Sequence, residues 1–225
     1  MNIRKRLLTV LATCLLATQA QAVQISSAGQ SWTVDWSFDL GTSGSLSASS
    51  TWTVDSFSAD QIMLSIDITN TSSLNSLLTN ADITAFGFGI NPNTTATLLS
   101  AGSVFTKVGT GSGPQQTFPG GFKGINVCLF AQGCSGGSVN GALHAGSSDQ
   151  IQLRLAGDFS GGYADLQSLP LKFQTSLGSY EPGGCVNCPP VNVAEPSIIA
   201  LLGTGLLLVG FSQHRKSRYT PATQP

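Results

Sequence analysis

Apolar and polar residues alternate without a break over the ten residues Ser31–Leu40, SWTVDWSFDL. Successive side chains of a β-strand point to opposite faces of a sheet, so a period of two is typical of a strand with one buried face. One face of this strand carries Trp32, Val34, Trp36, Phe38 and Leu40, and the other carries Ser31, Thr33, Asp35, Ser37 and Asp39. The pattern predicts a strand whose tryptophans face a core and whose aspartates face solvent.

The same alternation recurs along the chain and predicts an all-β fold. Ile62, Leu64, Ile66 and Ile68 alternate with Met63, Ser65, Asp67 and Thr69. Shorter candidate strands are Thr51–Val54, Ile83–Ile90, Thr97–Thr106, Ile125–Phe130, Ile151–Leu155 and Leu169–Thr175. Turns rich in Gly, Asn, Ser and Pro separate many of them, and no 12-residue stretch has a good amphipathic helical period. These features favour a single antiparallel β-sandwich or jelly roll.

The predicted sandwich spans residues 23–177 and is followed by a stalk at 178–193. The stalk segment contains Glu181-Pro-Gly-Gly184 and Cys188-Pro-Pro190. Proline has no backbone N–H to donate, and glycine costs more to order than other residues. We therefore expect no helix or central strand in this segment.

The charge of residues 23–193 argues against nucleic acid as a partner. Four basic residues, Lys107, Lys123, Arg154 and Lys172, stand against ten acidic ones, which gives a net charge of −6. Such a domain repels a phosphate backbone. Only 9% of the whole chain is charged, against about 25% in an average protein. Solubility must then come from Ser, Thr, Asn and Gly, a composition that suits an extracytoplasmic β-protein.

Four cysteines remain once a predicted leader is removed, namely Cys128, Cys134, Cys185 and Cys188. An even number in an oxidising compartment indicates disulfides, with three possible connectivities. We favour the local pairs Cys128–Cys134 and Cys185–Cys188; pairing between the two clusters would instead tie the C-terminal segment to the sheet. A zinc site fits less well because one pair has a five-residue spacer, and a thioredoxin-like motif lacks its βαβ context.

The sequence offers little for nucleophilic catalysis. His144 is the one histidine between residues 23 and 193, so a Ser-His-Asp site would have to use it. Gly133-Cys-Ser-Gly-Gly137 matches the Gly-x-Ser-x-Gly pattern. A nucleophile elbow, however, leads into a helix, and the Gly- and Ser-rich sequence up to Gly141 is a poor helix start. The pattern favours a glycine-rich disulfide loop with Ser135 in it, and we predict no catalytic residue.

The carboxylates were considered for glycoside hydrolysis and for calcium binding. Asp35, Asp39 and Asp67 fall on the polar faces of predicted strands, where solvated surface is the ordinary expectation. Asp149, Asp158 and Asp165 have the chemistry to ligate calcium at a sandwich edge, but the sequence contains no calcium-loop pattern. We predict neither a metal nor a cofactor.

The N-terminus has the three parts of a secretory signal peptide, residues 1–22. Arg4-Lys-Arg6 is positive, Leu7–Ala17 is an apolar run, and Ala20-Gln-Ala22 supplies small residues for signal peptidase, which we expect to cleave after Ala22. A lipoprotein signal at Cys14 is the alternative. It would place the cysteine halfway along the apolar run, behind a Thr where a smaller residue is usual.

The C-terminus is organised in three parts as well. Its members are a helix-breaking entry (Ala194, Glu195, Pro196, Ser197), an apolar run (Ile198–Phe211) and a basic end (Arg215, Lys216, Arg218). A helix of 14 residues reaches about 21 Å, short of the roughly 30 Å hydrocarbon core, although flanking Lys and Arg side chains can snorkel. The alternative is a buried core helix, but this run is apolar all round rather than amphipathic. The positive-inside rule leaves residues 219–225 in the cytoplasm and the β-domain outside.

The ordered set of signal peptide, Glu195-Pro-Ser197, apolar helix and basic end resembles the PEP-CTERM sorting signal of Gram-negative bacteria. The match covers about residues 194–218 and departs from the family at Ala194, where the family has proline. The resemblance implies that an integral-membrane exosortase recognises the tail and cleaves near the motif. It also implies association of the released protein with exopolysaccharide and biofilm matrix.

A second resemblance concerns the β-domain. Ser47–Asp60, Gln61–Thr69 and Asn70–Ser73 are arranged as strand, turn, strand and loop, and a Gly-rich cysteine segment follows later. This order is similar to the β-domain of one PEP-CTERM subfamily, sometimes labelled cistern. The resemblance implies no known activity.

Together these features predict an exported, exosortase-sorted protein of the cell surface or extracellular matrix. We expect it to be anchored transiently in the inner membrane, with signal peptidase and exosortase as processing enzymes. Its β-domain is expected to bind exopolysaccharide or matrix proteins without catalysis, with loop residues Phe118, Phe122 and Tyr163 as candidate sugar-binding aromatics. The alternatives are a polysaccharide hydrolase, which needs two carboxylates about 5–9 Å apart in a cleft, and a self-assembling subunit, which needs a long uncovered edge strand.

Overall fold

The computed structural model of the chain describes residues 23–110, 118–135 and 139–188. The predicted signal peptide, sorting signal and apolar helix lie outside these residues, as does the end of the predicted stalk. Cys188 is also the last residue of the first of two units into which the chain divides. No helix of the described residues is long and apolar enough to cross a membrane.

The described residues form thirteen strands and one short 3₁₀ turn at Gly41–Ser43. The strands are β1 (Val23–Ile25), β2 (Ser31–Asp39), β3 (Ser45–Phe57), β4 (Gln61–Asn70), β5 (Ala81–Asn91), β6 (Thr95–Ser100), β7 (Lys107–Thr110), β8 (Val127–Phe130), β9 (Ser148–Ala156), β10 (Ala164–Gln167), β11 (Leu171–Thr175), β12 (Gly178–Tyr180) and β13 (Cys185–Val186). The fold is therefore all-β, as predicted.

The strands form two antiparallel sheets. The first has six strands in the order β13-β2-β3-β4-β9-β6, and its centre consists of the long alternating strands. The second has seven strands in the path β1-β10-β5-β11-β12, with β8 paired to β5 and to β7. The inner faces of both sheets contribute to one hydrophobic core, an arrangement like a β-sandwich.

The core confirms most of the predicted inward residues. Trp32, Val34 and Trp36 are buried, and so are the four alternating residues of β4. In the centre, Trp52 meets Phe86 and Phe88 edge-on, at ring-centroid distances of 6.2 and 5.2 Å. Phe38 is the exception, since it is 39% exposed and packs on Tyr180 at 4.9 Å.

The segment predicted as a stalk is instead part of the sheets as far as Cys188. β12 pairs with β11, and β13 pairs with β2, so the chain crosses from one sheet to the other between Tyr180 and Cys185. The crossing is held at Leu169, whose carbonyl accepts hydrogen bonds from the indole Nε1 of Trp36 and the backbone N–H of Gly184. A Cβ at Gly184 would lie 2.6 Å from Val34 Cγ1, so the glycine allows a close approach that the expectation of a flexible stalk did not foresee.

The predicted strand Thr97–Thr106 ends at Ser100, as β6, because the buried carboxylate of Asp149 binds the backbone of the residues that follow. Both oxygens of Asp149 accept hydrogen bonds from the loop, donated by the backbone N–H groups of Ser103, Val104 and Phe105 and by the Ser103 hydroxyl. These donors are thereby lost to any sheet ladder. The strands that the sequence did not predict (β1, β7, β10, β12 and β13) have two to four residues each, too few to show a period of two.

Candidate functional site

The outward side of the six-stranded sheet is an exposed polar surface, called here the polar face. It consists of the residues of β2, β3, β4 and β9 that alternate with the core residues, together with their neighbours on β6. Because alternation sends the tryptophans and isoleucines inward, the outward positions are Ser, Thr, Asp and Gln, apart from Met63, Arg154 and Ala156. This confirms the predicted orientation of Asp35, Asp39 and Asp67.

Strand register arranges the polar face in rows that cross the strands. The first row is Asp35, Ser49, Thr69 and Ser148; the middle row is Thr33, Thr51, Asp67 and Gln150; the third row is Ser31, Thr53, Ser65, Gln152 and Ser100. Neighbouring strands lie about 4.8 Å apart, so each row offers a polar side chain at that interval. Sequence alone gives the outward residues but not the register that aligns them.

The first row satisfies part of its hydrogen-bonding capacity internally. The Ser49 hydroxyl donates to Asp35 at 2.6 Å, and the hydroxyls of Thr69 and Ser148 lie 2.8 Å apart. The third row is bonded in a similar way. Ser65 and Gln152 both donate to Asp55, at 2.7 and 3.0 Å, and the hydroxyls of Ser31 and Thr53 lie 3.3 Å apart.

The polar face is acidic and gently hollowed. Four aspartates, Asp35, Asp39, Asp55 and Asp67, lie on it with one cation, Arg154. An open depression of about 260 Å³ lies on the polar face. It is lined by Ser65, Ser100, Gln150, Ile151 and Gln152. A second one, of about 330 Å³, lies away from this face, between β7 and the loop Gln132–Ser135.

The outward side of the seven-stranded sheet is covered around β5 by the chain itself. Gly87 and Gly89 lack side chains on this side of β5, and a Cβ on either would collide with the loop of residues 118–127. Phe118 and Ile125 of that loop form a small second core with Ala85 and the cysteines Cys128 and Cys134. This covered face therefore leaves little room for a partner.

Two buried groups of the covered sheet, Asp82 and Lys172, have partners that hold them in place. The carboxylate of Asp82 is 7% exposed and lies 2.7 Å from Nδ1 of His144, whose side chain is 68% exposed. It also accepts a hydrogen bond from the side-chain amide of Asn80 at 2.8 Å. Lys172, 6% exposed, donates to Glu181 at 2.6 Å. The second pair fixes the chain just before it crosses to the other sheet, so Glu181 is a packing residue and not part of a stalk.

The Gly-x-Ser-x-Gly pattern does not form a triad with His144. Cys134 lies beside Cys128, which is opposite Gly87, whereas His144 bonds Asp82. These two anchoring points on β5 are five residues apart, about 17 Å along a strand. Ser135 lies in a turn, and no hydrogen bond joins it to His144, the one histidine of the described residues. Its hydroxyl therefore lacks the histidine base that this type of nucleophile uses.

The three aspartates considered for calcium have separate environments. Asp149 is saturated by the loop donors described above. Asp158 accepts hydrogen bonds from the hydroxyl and the backbone N–H of Ser160, which hold the pKa of this carboxyl below its ordinary value. Asp165 receives the Gln24 amide at 3.4 Å. Within the described ranges, no three His, Cys, Asp or Glu side chains gather as a metal site would require.

The cysteines lie in the two local pairs that we favoured. The Cα atoms of Cys128 and Cys134 are 6.1 Å apart, and those of Cys185 and Cys188 are 5.7 Å apart, both within the range that a disulfide spans. The first pair closes the loop that follows β8. The second closes the turn after β13, where the side-chain oxygen and backbone N–H of Asn187 bond the backbone of Thr33.

The candidate sugar-binding aromatics do not form a platform. Phe118 is buried, Phe122 is half-buried against it at 6.2 Å, and only Tyr163 is well exposed, at 45%. The expectation for Phe118 was wrong because the loop folds back onto the glycines of β5. The sequence pattern also gave no signal for the contact of Asp82 with His144 or for the rows, whose members come from distant parts of the chain.

Comparison of the chain with protein families, with curated proteins and with solved structures finds no match.

Proposed function

We infer that this chain is an exported protein of the cell surface or extracellular matrix, whose non-catalytic β-domain associates with exopolysaccharide. The polar face carries this proposal. It is an uncovered sheet surface in which hydroxyl, amide and carboxylate groups recur in register, and such groups donate to and accept from sugar hydroxyls. On the other sheet, loop residues cover the outward side of β5 and β8, and the exposed outward polar residues of the two described strands at its edge, β1 and β10, form a smaller surface.

The proposed location rests on the two ends of the chain. We propose that Ala20-Gln-Ala22 is cut by signal peptidase and that residues 194–218 hold the protein briefly in the inner membrane for exosortase. The paired cysteines fit an oxidising compartment.

A hydrolase remains the alternative, and the described carboxylates do not favour it. Asp39, Asp55 and Asp67 are exposed on the sheet surface, while the enclosed Asp82 and Asp149 are saturated by His144, Asn80 and loop donors. A glycoside hydrolase needs two carboxylates that face each other across a cleft, whereas these three aspartates lie on the open surface of a sheet.

The binding proposal is tested with the full chain purified from an exporting host. We expect it to be retained on immobilised exopolysaccharide or to give signals on a glycan array. A variant with the polar face altered at Thr51→Val and Asp67→Asn should lose retention, whereas Asp165→Asn on the other sheet should keep it. Equal retention of all three proteins would contradict the use of this face.

The location proposal is tested by fractionation. Replacing Glu195 and Pro196, or deleting residues 198–218, should change the compartment in which the protein is found and the mass of the mature form. If neither change alters fractionation or mass, the sorting proposal fails. The variant Ala194→Pro, expressed in the same cells, restores the proline of the resembled motif. The processed fraction of this variant should equal or exceed that of the unaltered chain.

Self-association is a second candidate function, favoured by the end of β2. β13 pairs with β2 only at Val34 and Asp35, and no described strand pairs with Ser37–Asp39 on that side. Phe38, 39% exposed, packs on Tyr180, whose hydroxyl donates to the carbonyl of Leu177, itself 42% exposed. A second copy at this place would bury both an open strand end and apolar surface. Sedimentation should show concentration-dependent association that Phe38→Ser abolishes; a single species at all concentrations would contradict it.

A further inference from the structure

The middle row of the polar face differs from the rows on either side. Thr33, Thr51, Asp67 and Gln150 are all exposed, and their side chains make no hydrogen bond to another described residue. The side chains of the flanking rows, in contrast, form hydrogen bonds on the face itself. Those of the first row bond one another, and those of the third row bond one another and the neighbouring Asp55. The middle row is therefore a continuous line of donors and acceptors that only solvent satisfies.

The geometry of this line fits one extended polymer chain. Four strands about 4.8 Å apart give a row about 14 Å long, with a hydrogen-bonding group on each strand. That interval is similar to the length of one sugar unit along an extended polysaccharide. A chain lying across the strands would meet Thr33, Thr51, Asp67 and Gln150 in succession.

The chemistry of the row indicates which polysaccharide fits. Trp32 and Trp52 point into the core, so the row has no aromatic ring on which a sugar can stack. Hydrogen bonds from neutral hydroxyls compete with water and contribute little each, whereas charge-assisted bonds are about twice as strong. Asp67 is the one charged group of the row, so a cationic group on the ligand gains most.

The surrounding charge points the same way. Asp35, Asp39 and Asp55 lie on the same face as Asp67, and Arg154 is its one cation among the described strands. This field repels uronate and sulfate groups and attracts ammonium groups. We propose that the middle row binds a polysaccharide with free amino groups, in which Asp67 pairs with an ammonium while Thr33, Thr51 and Gln150 bond to hydroxyls. This inference rests on the proposed polysaccharide association and specifies its site and ligand class.

The test compares three oligosaccharides of equal length on the immobilised full chain: a glucosamine oligomer, its N-acetylated form and an oligouronate. We expect binding in that order, with the glucosamine oligomer weakened by added salt. Asp67→Asn should weaken glucosamine binding about tenfold, the loss that corresponds to one charge-assisted hydrogen bond, and Thr51→Val should weaken it by less. Asp165→Asn removes the same charge from the other sheet and should bind like the unaltered chain.

The outcomes separate this inference from the broader proposal. If the chain binds glycans but Asp67→Asn and Asp165→Asn behave alike, or if the oligouronate binds best, the assignment to the middle row is overturned while the association stands. If the unaltered chain retains no glycan of any class, both proposals fail. Equal unfolding midpoints of the variants would establish that a tenfold loss reports a lost contact and not a lost fold.

Discussion

The two sheets of this domain use their outward sides differently. The six-stranded sheet consists mainly of long strands with unbroken alternation and leaves its polar face uncovered. The seven-stranded sheet consists mainly of short strands around β5, which is buried on both sides. Its outward side carries a loop, a cysteine pair, the Lys172–Glu181 ion pair and the contact of Asp82 with His144. Polar residues of the covered sheet therefore contribute to packing, whereas those of the polar face are accessible to a partner.

The largest difference is expected at the buried ion pair of the covered sheet. Lys172→Met leaves the Glu181 carboxylate partly buried without its cation and should lower the free energy of unfolding by about 3 kcal/mol in urea denaturation. The double variant Lys172→Met/Glu181→Met should recover most of that loss. Arg154→Met on the polar face is the control, with an expected change below about 0.5 kcal/mol. Equal losses for Lys172→Met and Arg154→Met would erase the distinction between the sheets.

A smaller loss is expected where a strand of the six-stranded sheet holds a loop. Asp149→Asn keeps the shape of the side chain but removes its charge, and its amide group would face backbone donors. We expect the free energy of unfolding to fall by about 2–3 kcal/mol, with hydrogen exchange accelerated at Val104 and Phe105. Asp35→Asn, an exposed acceptor on the same sheet, provides the comparison. Unchanged exchange at Phe105 would show that the carboxylate does not hold the loop.

The cysteine pair after β13 should contribute about 2 kcal/mol through the short loop it closes. Cys185→Ser/Cys188→Ser should lower the unfolding midpoint and free the edge of β2 near Thr33. Mass mapping without reductant should find Cys128 linked to Cys134 and Cys185 linked to Cys188. Four free thiols, or links between the two pairs, would refute the local connectivity.

The polar face should tolerate substitution. Thr51→Val and Asp67→Asn remove exposed groups that bond no other described residue, so the free energy of unfolding should change by less than about 0.5 kcal/mol in either case. A loss above about 1 kcal/mol for either variant would mean that the middle row stabilises the fold, and the contrast between the sheets would weaken accordingly.

The smallest effect concerns the exposed turn at Asp158, which lies on neither face. Its two hydrogen bonds from Ser160 favour the charged form, so the carboxyl should titrate below 3.8 when followed by NMR. Because the folded pKa is lowered, the stabilisation is present above the unfolded pKa and is lost as pH falls through the folded one. Ser160→Ala should return the pKa toward its ordinary value. A titration that Ser160→Ala leaves unchanged would assign the shift to another cause.

The six-stranded sheet was largely predictable because its local pattern and its burial agree. The alternation in Ser31–Asp39 and Gln61–Thr69 identifies both the strands and the inward residues. The pattern fails at Phe38, which lies one residue before the end of β2, packs on Tyr180 and stays 39% exposed.

The covered sheet and the crossing segment were less predictable, for physical reasons. Proline and glycine at residues 182–184 suggested a flexible stalk, yet Gly184 is required for a close approach to Trp36. Phe118 was expected in an exposed loop, but the missing side chains of Gly87 and Gly89 let that loop lie on the sheet. Partners such as Asp82 with His144 are 62 residues apart in sequence, and no local pattern encodes such pairs.

The crossing from β12 to β13 also determines how the domain carries mechanical load. The chain enters the described domain at Val23, on the seven-stranded sheet, and leaves it at Cys188, beside the edge of the six-stranded sheet. Tension between these two points pulls the sheets against each other and reaches the Leu169 carbonyl, where Trp36 and Gly184 donate. In single-molecule pulling, removing the indole donor with Trp36→Phe should lower the rupture force. Force applied across the described domain would thus pass through the contact of the Leu169 carbonyl with its two donors.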